Sequence, residues 1–375
     1  MDRAVLEISE KKLLDNYRNL ASFLPANQHM IAVIKGDAYG IGSYKEASLL
    51  KQAGVNFFAV ACIKEAVDLL DKGLDADILV LGHTIMDERK DLFNPHIIQT
   101  VGGLDYGNDI AEFAKENNQQ VRVHFKIDSG MHRLGIRNDT DIDEIKKLYY
   151  NPYLKVEGAL SHLSVADSLL AEDREYVFTQ KERFDRWLKK AGSKGMVFPV
   201  THLQASAAIV NYPQFLKDYT HCRPGILFIG FDSGFMEHPY KREEVFTLKS
   251  HIEKIDDLKE GEYIGYGRTY MAKKDMKIAT IPIGYGDGLM RIYQEKGVVL
   301  INGVRCPFTG RISMDQCCVD VSNAGASLYD EVILLGRQKD EYIPIKEMAD
   351  KCLSIPNEIL TKINSRVSRN WTKDY

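Results

Sequence analysis

The chain has 375 residues, 45% of them hydrophobic and 27% charged, with 49 Lys and Arg against 53 Asp and Glu for a formal net charge of −4. That length exceeds one ordinary domain and suits a barrel of roughly 250 residues with a smaller module attached. The slight acidic balance carries no nucleic-acid signature, no apolar run reaches the ~20 residues of a membrane span, and Met1–Glu7 lacks a signal-peptide core, so a cytoplasmic chain without membrane contact is expected.

In chain order, the first strong signal is the apolar run Met30–Ile34, read with Lys35 as a buried strand over 30–35 and ended abruptly by Gly36–Gly42. Further candidate strands follow at 57–61, 77–82, 97–101, 121–128, 155–163, 199–206 and 221–230. Helix-period segments lie between them, among them 43–54, 63–73, 106–118 and 169–192. Strands alternating with helices predict an α/β chain with a parallel (β/α)8, TIM-like barrel over 1–240. After about residue 240 the pattern changes to short strands at 245–252, 277–283, 297–301 and 331–335, which predicts a β-rich second domain over 241–375. Arg3–Ile8 reads as a possible extra strand of that second domain. The six cysteines, Cys62, Cys222, Cys306, Cys317, Cys318 and Cys352, form no CxxC pair and read as reduced thiols, with no metal site.

A lysine is costly inside a core, but at the C-terminal end of a barrel strand it can face the cleft where such folds place their chemistry. Other polar residues fall at the same predicted ends. They are Tyr39 after the first strand, Lys126–Arg133 at the fifth, Ser161 and His162 at the sixth, His202 and Ser206 at the seventh, and Arg223–Ile226 at the eighth. Each has an ordinary structural reading by itself. Together, a Schiff-base lysine, an arginine for a ring nitrogen and backbone N–H groups for a phosphate suggest pyridoxal phosphate.

The ordered segments AVIKGDAYG (32–40), KIDSGMHRLG (126–135), RPGI (223–226), GYGRTY (265–270), GYGDG (284–288), GRISMDQ (310–316) and RVSR (366–369) resemble the alanine racemase family over essentially the whole chain. The resemblance implies a fold-type III enzyme using pyridoxal 5'-phosphate, working as a homodimer with shared active sites on a small amino acid, serine or alanine. Lys35 would hold the cofactor as a Schiff base and act as one base, and Tyr266 of the partner subunit would be the other. Racemisation requires two, since the α-proton leaves one face and returns on the opposite one. His162, bonded to Tyr266 and to Arg223, would tune the phenol. Arg223 would face the pyridine nitrogen and leave it unprotonated, because a guanidinium does not surrender its proton. Tyr39, Ser206, Gly225 and Ile226 would hold the phosphate, and Arg133 the phenolic oxygen and the substrate carboxylate, which Met314 of the partner subunit would also contact. Tyr285, Arg291, Arg311 and Asp167 match the family's access channel, and Lys126 matches a lysine often carbamylated in the family.

The departures bear on substrate. The family has a tyrosine nine residues before the Arg366–Arg369 signature, where this chain has Asn357. An asparagine opens space and adds an amide able to bond a hydroxyl. The serine racemases of the vancomycin-resistance type share it. The first expectation is therefore an L/D-serine racemase that also accepts alanine, either a membrane protein's catalytic domain or a stand-alone chain. The alternative is an alanine racemase supplying D-alanine for peptidoglycan. Ala205 and Ile41 stand where the family often has Asn and His. A non-catalytic cofactor-binding barrel lacks the β domain carrying Tyr266, and fold-type III decarboxylases lack the 284–288 and 313–316 signatures.

Overall fold

The computed structural model describes residues 2–137 and 139–373. Its first part is a parallel barrel. The ladder runs Ala32–Val33, Phe57–Val60, Asp77–Val80, Ile97–Val101, Val121–Asp128, Leu154–Leu160, Val200–Ala205, His221–Arg223 and His29–Met30. Sequence reading expects eight strands, and this order has nine because the first is broken at Ile31. Met30 pairs with Cys222 and Val33 with Ala59, so one stretch of chain borders both ends of the ladder and closes it. Helices Ser43–Gln52, Ile63–Asp71, Leu104–Glu116, Ile142–Tyr149 and Ala171–Ser193, and a 3-10 turn at Met86–Phe93, lie in the crossovers between strands, as parallel pairing demands. Ile31, Val33, Ala59, Leu79 and Ile98 fill one side of the barrel interior.

Two expectations at the mouth need correction. Lys35 is not the last residue of a strand: pairing stops at Val33, and Lys35 opens a tight turn running to Tyr39. The predicted strand 221–230 ends at Arg223, because Pro224 has no N–H to continue the ladder and Ile226–Ile229 coils into a helical turn. A four-residue apolar run fits either conformation, and period alone does not separate them.

The C-terminal part is mostly strand. Phe246–His251, Val298–Ile301, Val304–Pro307 and Glu331–Gln338 belong to a sheet in which Ala4–Ser9 pairs antiparallel with Phe246–His251 and parallel with Ser368–Thr372. Lys254–Leu258, Met276–Ile281 and Cys317–Asp320 form a smaller sheet. Helix Pro356–Lys362 packs onto the Lys35 turn so closely that a Cβ on Gly40, at φ +97°, would lie 2.6 Å from the Leu360 carbonyl oxygen. Gly40 is therefore required both for its left-handed φ and for the approach of the second domain. Among the described residues no helix is long and apolar enough to cross a membrane.

Behind the turn, Glu46 on helix Ser43–Gln52 is buried with neither carboxylate oxygen hydrogen-bonded. Burial, with Asp37 adding to it, holds its carboxyl well above the usual range. The folded chain thus keeps a proton that the unfolded chain releases near pH 4.5, so this group's contribution falls as pH rises above that value. Glu46→Gln should flatten the stability–pH curve between about pH 5 and 7 by up to about 1.4 kcal/mol per pH unit, the slope of one proton. Denaturant unfolding across that range checks it, and an unchanged slope would show that Glu46 ionises in the fold.

Candidate active site

Lys35 projects from a turn of opposite hand to an ordinary helix. Gly36, Asp37, Ala38 and Tyr39 have φ of 63°, 53°, 53° and 55°. Left-handed backbone costs roughly 1–2 kcal/mol for each residue with a Cβ, so surrounding contacts must hold it. Lys35 lines a cavity of about 610 Å³ at the barrel mouth. Burial, then the charge of Arg133, lowers the Lys35 amine from its ordinary range, while Glu65 opposes the shift.

Lys126, Arg133, His162 and Arg223 line the same cavity. Arg223 is buried and donates only to neutral acceptors. Its Nη1 reaches His202 Nδ1 at 2.9 Å and the His202 carbonyl at 3.0 Å. Its Nη2 reaches Ser161 O at 2.9 Å, Leu203 O at 3.0 Å and His162 Nδ1 at 3.1 Å. These bonds fix the histidines with Nδ1 as acceptor, leaving the proton on Nε2. Burial, then Arg223, holds both imidazoles well below their usual range, so both are neutral. Burial lowers Arg223 itself to about 10, which still leaves it a cation at neutral pH. Lys126 is lowered to about 8, first by burial and then by Arg133 and Arg223.

The other end of the cavity is built from backbone. Ser206 opens helix Ser206–Asn211, and its Oγ accepts the Gly225 N–H at 3.2 Å. A Cβ on Gly225 would meet Tyr39 Oη at 2.8 Å and Val33 O at 3.0 Å. Tyr39, Ser206 and Ile226 line the cavity together with Asn357, whose Oδ1 is buried without a hydrogen-bond partner, and Asp167.

The remaining expected residues lie elsewhere. Tyr266 is 72% exposed and lines a separate hollow with Arg311. Tyr285 and Met314 are exposed, and neither they nor Arg291 line the Lys35 cavity. The expected His162–Tyr266 bond would run between two copies; within this chain the side-chain partner of His162 is Arg223. His202, expected at a strand end facing the cleft, is buried behind Arg223 and bonds His124 at 3.0 Å through Nε2. Sequence reasoning missed Glu65 and Gln180. Gln180 accepts Ser164 N–H and donates to the carbonyl of His162, securing that loop. Glu65 carried a usable signal, since it stands three residues after Cys62, where a helix begins.

The family model described as "Alanine racemase, N-terminal domain" matches residues 8–233, and "Alanine racemase, C-terminal domain" matches 245–371. The chain belongs to the alanine racemase family. Its relatives include "Alanine racemase 1" of Caldanaerobacter subterraneus, 33% identical over 98% of this chain and 95% of that one. The alanine racemase of Clostridium difficile 630 superposes with a TM-score of 0.93 at 32% identity, covering 100% of this chain and 96% of that one. The alanine racemase of Bartonella henselae, solved with covalently bound pyridoxal phosphate, gives 0.84 at 28% identity, with 98% and 99% covered. The protein is an amino-acid racemase dependent on pyridoxal 5'-phosphate.

The racemase's own residues fit that cofactor. A half-buried lysine amine suits a carbonyl carbon, an arginine bonded only to neutral acceptors suits an unprotonated ring nitrogen, and Ser206 with Gly225 forms a cradle that a Cβ would fill. Gly225→Ala is therefore expected to weaken pyridoxal phosphate binding at least about tenfold by displacing Tyr39. Titration of the apoenzyme by fluorescence checks it, and unchanged affinity would remove Gly225 from the cradle.

Proposed function

We propose that this racemase interconverts L- and D-alanine with two bases drawn from two subunits, residues 1–240 binding the cofactor and 241–375 lending Tyr266 to a partner. The observation that carries the reading is the convergence of Lys35, Arg223 and the Ser206–Gly225 cradle on one cavity in a chain whose relatives are alanine racemases. Their names favour alanine over the serine expected from Asn357, and the relative from Bacillus anthracis was solved with bound L-Ala-P. A cytoplasmic location belongs to the same reading.

Bound pyridoxal phosphate supplies an electron sink that acidifies the substrate's α-proton. Lys35 Nζ takes or returns that proton on one face. The Tyr266 phenol of a second copy does so on the other, which accords with its exposure and its separation from the Lys35 cavity. Arg133 meets the substrate carboxylate with Met314 of the second copy beside it, and Tyr285, Arg291, Arg311 and Asp167 border the way in. Arg223 keeps its proton and its charge against the ring. His162, neutral with its Nδ1 occupied by Arg223, has Nε2–H to give to the phenolate. Lys126, at about 8, retains enough neutral amine to react with carbon dioxide, and a carbamate there places a negative charge beside Arg133.

A serine activity beside this one is favoured by a specific observation, the unpartnered Oδ1 of Asn357 in the cavity. A serine hydroxyl can donate to it and a methyl cannot.

Mixing Lys35→Ala and Tyr266→Phe subunits, each inactive alone, should restore about one quarter of wild-type activity, since half of the sites in half of the dimers then carry both bases. No recovery after subunit exchange would place both bases in one chain. Asn357→Tyr should reduce kcat/KM for L-serine by roughly tenfold or more while that for L-alanine holds or rises. Equal loss on both substrates would make Asn357 a packing residue.

A further inference from the structure

The turn that presents Lys35 and Tyr39 bonds itself through the N–H groups of Ala38, Gly40 and Gly42, and leaves the Gly36 N–H beside Lys35 to an acceptor outside it. Within it, Ala38 N–H bonds Ile34 O at 2.9 Å and Gly40 N–H bonds Gly36 O at 2.9 Å. Three consecutive residues with a Cβ, Asp37, Ala38 and Tyr39, are left-handed, and such runs persist only where their surroundings over-determine them.

Two charged side chains do so. At the far end, Arg369 donates through Nε to Gly40 O at 3.0 Å. At the near end, immediately after Lys35, the Gly36 N–H points at Glu65 Oε1, 2.6 Å away and 29 residues along the chain. The other oxygen, Oε2, accepts Ala61 N–H at 2.7 Å and Cys62 N–H at 3.4 Å. A helix cap accounts for Oε2 alone. The reach of Oε1 to Gly36 joins the end of the first barrel strand to the end of the second.

We propose that Glu65 is a positioning residue of the racemase, its carboxylate bridging the first two strand ends and holding the left-handed turn that aims Lys35 and Tyr39 at one cofactor. This rests on the reading of Lys35 as the cofactor-bearing lysine. A carboxylate suits the position because three N–H donors converge on it and no acceptor does. An amide of the same size has one oxygen for them and sets its NH₂ against the rest. Lys35 and Tyr39 lie on the same five-residue turn, so a loosened turn moves the base and the phosphate contact together. Displacements of about 1 Å in a reacting group cost around a hundredfold in rate.

The test uses holoenzyme with L-alanine. Glu65→Gln is expected to lower kcat roughly 10- to 100-fold with KM changed by less than about threefold. The visible circular dichroism per bound pyridoxal phosphate should fall by at least about half, since that signal reports how rigidly the cofactor is held, whereas a merely stabilising residue would leave it intact. Glu65→Asp, which keeps the charge with a shorter reach, should lie between the two and serves if the amide variant fails to fold. A kcat within twofold of wild type, or a fall in kcat with unaltered visible circular dichroism, overturns the proposal. Lys35→Ala separates the underlying reading: if its holoenzyme keeps the wild-type visible spectrum, Lys35 does not carry the cofactor and the failure lies there.

Discussion

The hydrogen bonds that close the barrel are shared along one short stretch of chain. Ile31 and Val33 donate to Cys222 and Pro224 on one side, and Ile34 donates to Ala59 on the other. A strand that serves both neighbours in this way cannot run straight on, and it hands the chain over at Lys35 into a turn of the opposite hand. The same seam sets His221–Arg223 next to the first strand, so Arg223 and the Gly225 cradle arrive beside Lys35 because the sheet closes there. Barrel closure and assembly of the site are thus one event, consistent with chemistry at the C-terminal ends of the strands.

Charge gives the mouth its character. Lys35, Lys126, Arg133 and Arg223 crowd one cavity, and each depresses the affinity of a neighbour for its proton. Such repulsion destabilises the empty site and favours an anionic occupant. Two fully buried imidazoles, His202 and His124, continue inward from Arg223 and are kept neutral, so the charge is not extended into the barrel. Arg223 is held by carbonyls and imidazoles in place of a carboxylate, which secures its geometry without quenching its charge.

Much of the site was legible because its parts lie at the ends of buried apolar runs, where lysine, arginine or histidine is conspicuous. Lys35, Lys126, Arg133, His162, Ser206, Arg223 and Asn357 all reach the single cavity. The break at Ile31 and the helical turn Ile226–Ile229 were not legible, since both lie in short apolar segments where pairing partners, not local preference, decide the conformation. Gln180 bonds backbone groups on another element, which residue spacing does not show, and the spacing of Glu65 from Cys62 marks a helix cap but not its reach to Gly36. Tyr266 marks a different limit: its motif is plain, but residue spacing does not show that it lies exposed and outside the Lys35 cavity.

Ala4–Ser9 is paired along its length with Ser368–Thr372, and Arg369 from that last strand reaches back to Gly40. During synthesis the barrel strands therefore leave the ribosome long before the segment that finishes both the second sheet and the far end of the Lys35 turn. A nascent chain can close its barrel early, yet the turn carrying Lys35 stays incompletely held until Ser368–Thr372 has docked.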